Sequence, residues 1–162
     1  MAIINSKVKH QLDFLGVRYE VLACKPDFAD TAAYCDKYGY DPAQCANTIL
    51  VAGKANPTKF AACVVLATTK LDVNKKVCQE LGVKRASFAD GHQTEKLTGM
   101  MIGGVTVFGL PLDLPVLLDS RLQEADKVIM GGGNRVSKIL ITPLELLKLP
   151  NAQVITDLAI TR

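Results

Sequence analysis

The stretch LTGMMIGGVTVFGLPLDLPVLLD, from Leu97 to Asp119, decides how this chain is read. It sets Gly99, Gly103, Gly104 and Gly109, with Pro111 and Pro115, among apolar residues. Glycine tolerates positive φ and lets a second backbone or a ligand come close, whereas proline fixes φ and withholds a donor. So dense a set predicts a shaped loop delivering the chain into a strand at Pro115–Leu118. Composition alone favours a tight connection through a core. A second glycine loop, Gly131-Gly132-Gly133-Asn134-Arg135, follows another strand-like run, Lys127–Met130, and this raises the functional reading. Two such loops at strand ends are expected to face one cleft.

Upstream of this stretch, Val8, Leu12 and Leu15 recur at helical spacing before Gly16, which predicts a helix over residues 5–15. Tyr19–Leu22 reads as a short strand. Asp30 stands as the cap of a helix over Thr31–Tyr38, stopped by Gly39, and Asp41-Pro42 opens another short helix. The β-branched runs Thr48–Ala52 and Phe60–Ala67 flank GKANPTK, a hairpin with a long loop. Asp72 precedes a helix marked by Val73, Val77 and Leu81; Lys84–Phe88 reads as a strand and Ala89–Leu97 as a helix.

Downstream, Val136–Ile141 is expected to be a strand. Thr142-Pro143-Leu144-Glu145 has the form of a capping box opening a helix over Leu144–Leu149, and Gln153–Thr156 is expected as the last strand. Strands thus occur both in hairpins and after helices. That order favours a mixed, barrel-like sheet flanked by helices, an α/β (α+β) fold, over regular βαβ alternation. With no repeat or linker, residues 1–162 read as a single domain.

Apolar residues make up 49% of the chain and charged residues 22%, an ordinary globular balance. No run reaches the length of a membrane span or a signal peptide, so a cytoplasmic protein without membrane contact is expected. The net charge of +3 is spread over short pairs such as Lys75/Lys76, enough for a few phosphates but no basic tract. Cys24, Cys35, Cys45, Cys63 and Cys78 form no CxxC pair, so free thiols are expected. His10 and His92 stand at no metal-ligand spacing, and neither a metal nor a cofactor is expected. The glycines match neither GxGxxG nor GxxxxGK[ST], which disfavours dinucleotide and P-loop sites.

Three segments taken in order, LDVNKKVCQELGVKRASFAD (Leu71–Asp90), the Leu97–Asp119 stretch, and KVIMGGGNRVSKILITPLELLKL (Lys127–Leu149), resemble the YbaK-type aminoacyl-tRNA deacylases. They are also similar to the editing domain inserted in bacterial prolyl-tRNA synthetases. The resemblance runs from about Asp30 to Leu158. It implies a mixed barrel-like sheet flanked by helices, and hydrolysis of the ester that links a wrong amino acid to the tRNA 3′ end. Its implied partners are the aminoacyl-adenosine end of tRNA and an aminoacyl-tRNA synthetase. The family's catalytic lysine falls where this chain has Asn47, just before Thr48-Ile49-Leu50-Val51. Its glycine-x-x-x-proline loop falls on Gly103 to Val107, with valine in place of the proline.

Hydrolysis of an aminoacyl ester needs a held water, and donors where the oxyanion develops. Backbone N–H groups of Gly103 and Gly104 are candidates for those donors, with Asn47 as the third catalytic candidate. Asn47 offers hydrogen bonds but no charge, and it serves equally well to end the short helix from Asp41. Lys54 lies seven residues on, past the far end of the strand and on the order of 20 Å or more off at strand rise, so it cannot simply replace the lysine. Candidate substrate-binding residues are Thr106, Val107, Asp119, Gly131, Gly132, Gly133, Asn134 and Arg135. Against these roles, Asp119 also reads as the cap of a helix from Ser120, and Arg135 as a surface ion pair. Cys45, without a histidine partner, reads as a packed thiol. Two functions follow: a deacylase with a weakened site, or a non-catalytic module that holds an aminoacyl-adenosine-like ligand or a protein partner. On the deacylase reading, Asn47→Lys is expected to raise turnover of at least one mischarged tRNA about tenfold or more.

Overall fold

Residues 2–162 are described by a computed structural model. Asn5 accepts the N–H groups of Lys7 and Val8 through its side chain and opens α1 (Ser6–Phe14), which buries Val8 and Leu12. After β1 (Glu20–Ala23), α2 (Thr31–Tyr38) ends at Gly39 with φ of 74°. Asp30 sits at the cap position of α2, but its carboxylate makes no cap bond and lies 3.5 Å from Arg135 instead. A 3-10 turn at Pro42–Gln44, capped by Asp41, leads into β2 (Ala46–Gly53).

β3 (Lys59–Leu66) returns antiparallel to β2, with Asn47 opposite Val65 and Val51 opposite Ala61. It is buried on both faces: Ala62, Val64 and Leu66 enter one apolar cluster while Ala61, Cys63 and Val65 enter another. This is why its sequence is a continuous apolar run rather than an alternation.

β4 (Thr69–Leu71) precedes a departure from expectation. The segment after Asp72 starts as a π-helical turn, Val73–Val77, and only α3 (Cys78–Leu81) is α-helical. Apolar residues every four positions are compatible with the wider turn, because Val77 still reaches the core. After β5 (Ala86–Phe88), α4 (Gly91–Thr98) is opened by a capping box of Asp90 and Gln93, slightly later than the sequence suggested.

The remaining strands are β6 (Val116–Asp119), β7 (Val128–Gly131), β8 (Ser137–Ile141), β9 (Ala152–Ile155) and β10 (Ala159–Thr161). The capping box expected at Thr142 does not form. Pro143–Lys148 is a 3-10 segment, and Glu145 instead accepts the Arg18 N–H and pairs with Lys148 at 2.6 Å. The strand expected to be last is followed by β10, which pairs with β4.

A mixed five-stranded sheet runs β5-β2-β3-β6-β9, a three-stranded sheet runs β1-β8-β7, and β10-β4 form a third. The isolated parallel bridge between Cys45 and Ile129 joins the first two sheets at the start of β2. The barrel-like expectation is thus met by sheets bent around a shared core of Leu12, Leu50, Val64, Phe108, Leu118 and Ile139, with helices outside. Among the described residues, no helix is long and apolar enough to cross a membrane.

Candidate active site

The Cys45–Ile129 bridge fixes what meets at the junction of the two sheets. Both strands run in the same direction there, so two residues further on Asn47 comes beside Gly131. Gly131 is in turn the register partner of Lys138 on β8. A cavity of about 360 Å³ opens at this point. Asp30, Thr31, Asn47, Gly103, Gly131 and Lys138 form its polar side, and Leu50, Phe88 and Ile102 its apolar side.

Asn47 is half-buried, and its side-chain oxygen accepts the hydroxyl proton of Thr31. Its two amide N–H donors are left for other partners, and Asn47 also lines a second cavity with Cys35, Tyr40 and Arg162. It belongs to β2 itself, so the alternative role of ending the Pro42–Gln44 turn falls to Cys45.

Lys138 is the functional candidate that the sequence reading missed. It is only 5% exposed, and its ammonium donates to the carbonyl oxygens of Ala29 and of Gly103, the latter at 3.2 Å. Its Nζ also lies 5.5 Å from the centre of the Tyr34 ring. Burial lowers its pKa below the ordinary lysine value; Cys24, Asp30 and Cys45 oppose that shift, and Arg135 adds to it. The signal in the sequence is a lone lysine inside the apolar strand Val136–Ile141. Nothing local says which way it points.

The two glycine loops meet, but chiefly each other. A Cβ on Gly104 would run into the backbone of Asn134, and one on Gly131 would stand 2.5 Å from the Val105 carbonyl oxygen. The Gly133 N–H donates to the Gly104 carbonyl at 2.8 Å, sealing the contact. Gly132 and Gly133 pack against Ser137 and Asn5 rather than the cavity. The Gly104 N–H is spent on Met101 O at 2.9 Å, which removes it as an oxyanion donor. Of the two proposed donors, only Gly103 lines the cavity.

Several further candidates lie elsewhere. Thr106 is fully buried with its hydroxyl unpartnered among the described residues, and Val107 is a core residue at 1% exposure. Asp119 is completely buried on the opposite side of the sheet, where it pairs with Arg121 and accepts the Ala159 N–H. It thereby ties β6 to β10, and its side chain does not cap the following 3-10 turn. Asn134 closes its own turn by accepting from Val136 N–H and Ser137 Oγ, and donates to Ile3 O.

Arg135 spans the rim of the cavity. It donates to Ile102 O and Pro26 O, both at 2.8 Å, and so holds the first glycine loop against the segment before α2.

All five cysteines are free and buried. The Cys45 sulfur lies 2.8 Å from that of Cys35, and burial pushes its pKa up, so it stays protonated and is a poor nucleophile. Among the described residues, no cluster of three or more His, Cys, Asp or Glu is placed to hold a metal ion.

Comparison with known proteins gives this geometry a context. The profile of the aminoacyl-tRNA editing domain matches residues 25–149. A protein of Enterococcus faecalis named as a candidate Cys-tRNA(Pro)/Cys-tRNA(Cys) deacylase, EbsC, is 24% identical over 131 residues, covering 81% of this chain and 78% of its own. An uncharacterised Bacillus subtilis protein, YwhH, is 40% identical over 83 residues, about half of each chain. In structure, a candidate trans-editing enzyme for prolyl-tRNA synthetase superposes with a TM-score of 0.80 at 23% identity, over 95% of this chain and 98% of its own. A hypothetical protein gives 0.84 at 24% identity, over 96% and 100%. With the profile covering the cavity and both glycine loops, this chain belongs to the aminoacyl-tRNA editing domain family.

Proposed function

We propose that this chain is a trans-editing deacylase, hydrolysing the ester between a wrong amino acid and the 3′-terminal adenosine of a tRNA charged by an aminoacyl-tRNA synthetase. The observation that carries the reading is the cavity of about 360 Å³ where Asn47, Gly103 and Asp30 converge opposite an apolar wall. An aminoacyl group has the same division: a polar ester and ammonium at one end, a side chain at the other. The Asp30 carboxylate, at the rim, is the acceptor for the ammonium. Leu50, Phe88 and Ile102 receive the side chain. The Asn47 amide, oriented by Thr31, holds the attacking water or the carbonyl oxygen.

In the reaction the water oxygen bonds to the carbonyl carbon and the bond to the ribose oxygen breaks. The proton lost by water ends on that ribose oxygen, so no co-reactant is needed. Asn47 lacks the charge of the family's lysine, and one charge-assisted contact is worth about 1.5–3 kcal/mol, so a site relying on Asn47 alone is a weak one.

The test is release of amino acid from a panel of mischarged tRNAs. At least one is expected to be hydrolysed well above its spontaneous rate. If none is, while a non-hydrolysable aminoacyl-adenosine analogue still binds, the chain is a binding module for that ligand.

A further inference from the structure

A cation buried with no counter-ion is costly, and groups held in such surroundings gather at functional sites. Lys138 meets that description. It is 5% exposed, and among the described residues no carboxylate lies within ion-pair distance of its Nζ. An ammonium has three N–H donors. Two are committed to Ala29 O and Gly103 O, which fix the position of Nζ on the cavity wall, and one remains. The register of β7 and β8, with the Cys45–Ile129 bridge, sets this lysine at the same junction as Asn47.

We propose that Lys138 is a catalytic residue of this chain, donating its remaining N–H to the ester carbonyl oxygen as that oxygen becomes an oxyanion. It supplies from β8 the positive charge that Asn47 cannot supply from β2. The inference rests on the deacylase reading and deepens it. Lys138 keeps its proton throughout; water adds to the carbonyl carbon, the ribose–oxygen bond breaks, and the proton from water passes to the ribose oxygen. Gly103 contributes by holding the lysine through its carbonyl, which gives this loop residue a part in the site that its N–H alone does not. The charged and titratable groups facing Lys138 are Cys24, Asp30, Tyr34, Cys45 and Arg135, and none of them pairs with it directly.

The experiment is steady-state deacylation of the mischarged tRNA panel across pH by wild type, Lys138→Met, Lys138→Gln and Asn47→Lys/Lys138→Met, each checked by urea unfolding. Lys138→Gln retains donors for the two carbonyls without the charge, so it serves if the methionine variant fails to fold. Both single variants are expected to lose about 10–100-fold in kcat with little change in KM, the signature of a contact made in the transition state. Wild-type turnover, corrected for spontaneous hydrolysis, is expected to fall on the alkaline side as Lys138 loses its proton, and this limb is absent in both variants. Asn47→Lys is expected to recover about tenfold in the Lys138→Met background.

Full activity in folded Lys138→Met or Lys138→Gln overturns the proposal and leaves the deacylase reading intact. Turnover that rises as Lys138 deprotonates also overturns it, because the lysine would then be a base. Absence of wild-type turnover on every tRNA overturns the deacylase reading itself, and this proposal with it.

Discussion

Thr31, the first residue of α2, gives its hydroxyl proton to the side-chain oxygen of Asn47 on β2. This bond ties helix to sheet beside the cavity and fixes the orientation of the Asn47 amide. Thr31→Val removes the donor and frees the amide to rotate. Deacylation by this variant is expected to fall about three- to tenfold in kcat, the cost of a mispositioned hydrogen bond. Asn47→Leu, which removes the amide at similar volume, is expected to fall about tenfold or more. Single-turnover rates on a tRNA that the wild type edits provide the check.

A lysine at position 47 is expected to have less effect in the wild-type background than the resemblance implies. A second cation brought into the cavity of Lys138 is repelled by it and loses part of its proton affinity. Asn47→Lys in the wild-type background is therefore expected to gain less than about threefold, against about tenfold where Lys138 is neutralised. Adding Val107→Pro is expected to bring no further gain, because Val107 is buried in the core and its substitution removes apolar contacts. Comparing kcat/KM across the four charge combinations measures the coupling.

The backbone contact between the glycine loops has a stability consequence. Gly104→Ala or Gly131→Ala places a methyl group against backbone atoms of Asn134 or of Val105, neither of which is a flexible side-chain end. Each is expected to destabilise by about 1–3 kcal/mol or more, as overpacking does. Gly91→Ala is the control: its Cβ meets only the end of the Ile102 side chain, at 3.8 Å. Urea unfolding should show the first two shifted to lower midpoint and the third near wild type.

Thr106 carries a hydroxyl with no partner among the described residues in a fully buried position. Thr106→Val replaces it with a methyl group of the same shape and removes a desolvated polar atom. Stability is expected to rise by about 1 kcal/mol, with deacylation unchanged, since the residue does not line the cavity. A fall in turnover for a folded Thr106→Val would assign the hydroxyl a role in the site.

Lys138 also predicts how stability follows pH. Its pKa is lowered in the folded protein by burial, so between that value and the ordinary lysine value the unfolded chain binds more protons. Folding stability conferred by this residue therefore rises with pH through that window, up to about pH 10.4. The wild type should gain on Lys138→Met as pH is raised from 7 toward 10.5, and titrations common to both proteins cancel in the difference. Paired urea unfolding series at each pH measure it.

The local elements were legible in the sequence because local chemistry makes them. Gly39 stops α2, Asp41 caps the Pro42 turn, and the hairpin around GKANPTK needs only its flanking β-branched runs and a turn-rich loop. The order of the glycine loops along the chain carried the family for the same reason: it is a property of sequence. Their contact with each other was not legible, since Gly104 and Asn134 come together only when two loops from different sheets are brought face to face. Asp119 read as a substrate-binding candidate or a cap and is a buried tie to Ala159, because β10 was invisible until it paired with β4. Lys138 read as one lysine in a strand. Its place at the cavity is set by the β7–β8 register and by one bridge between Cys45 and Ile129. Register reverses the face of every side chain when it slips by one residue, and it is set by which face packs on the core and by the turn joining the strands, which Lys138 alone does not reveal.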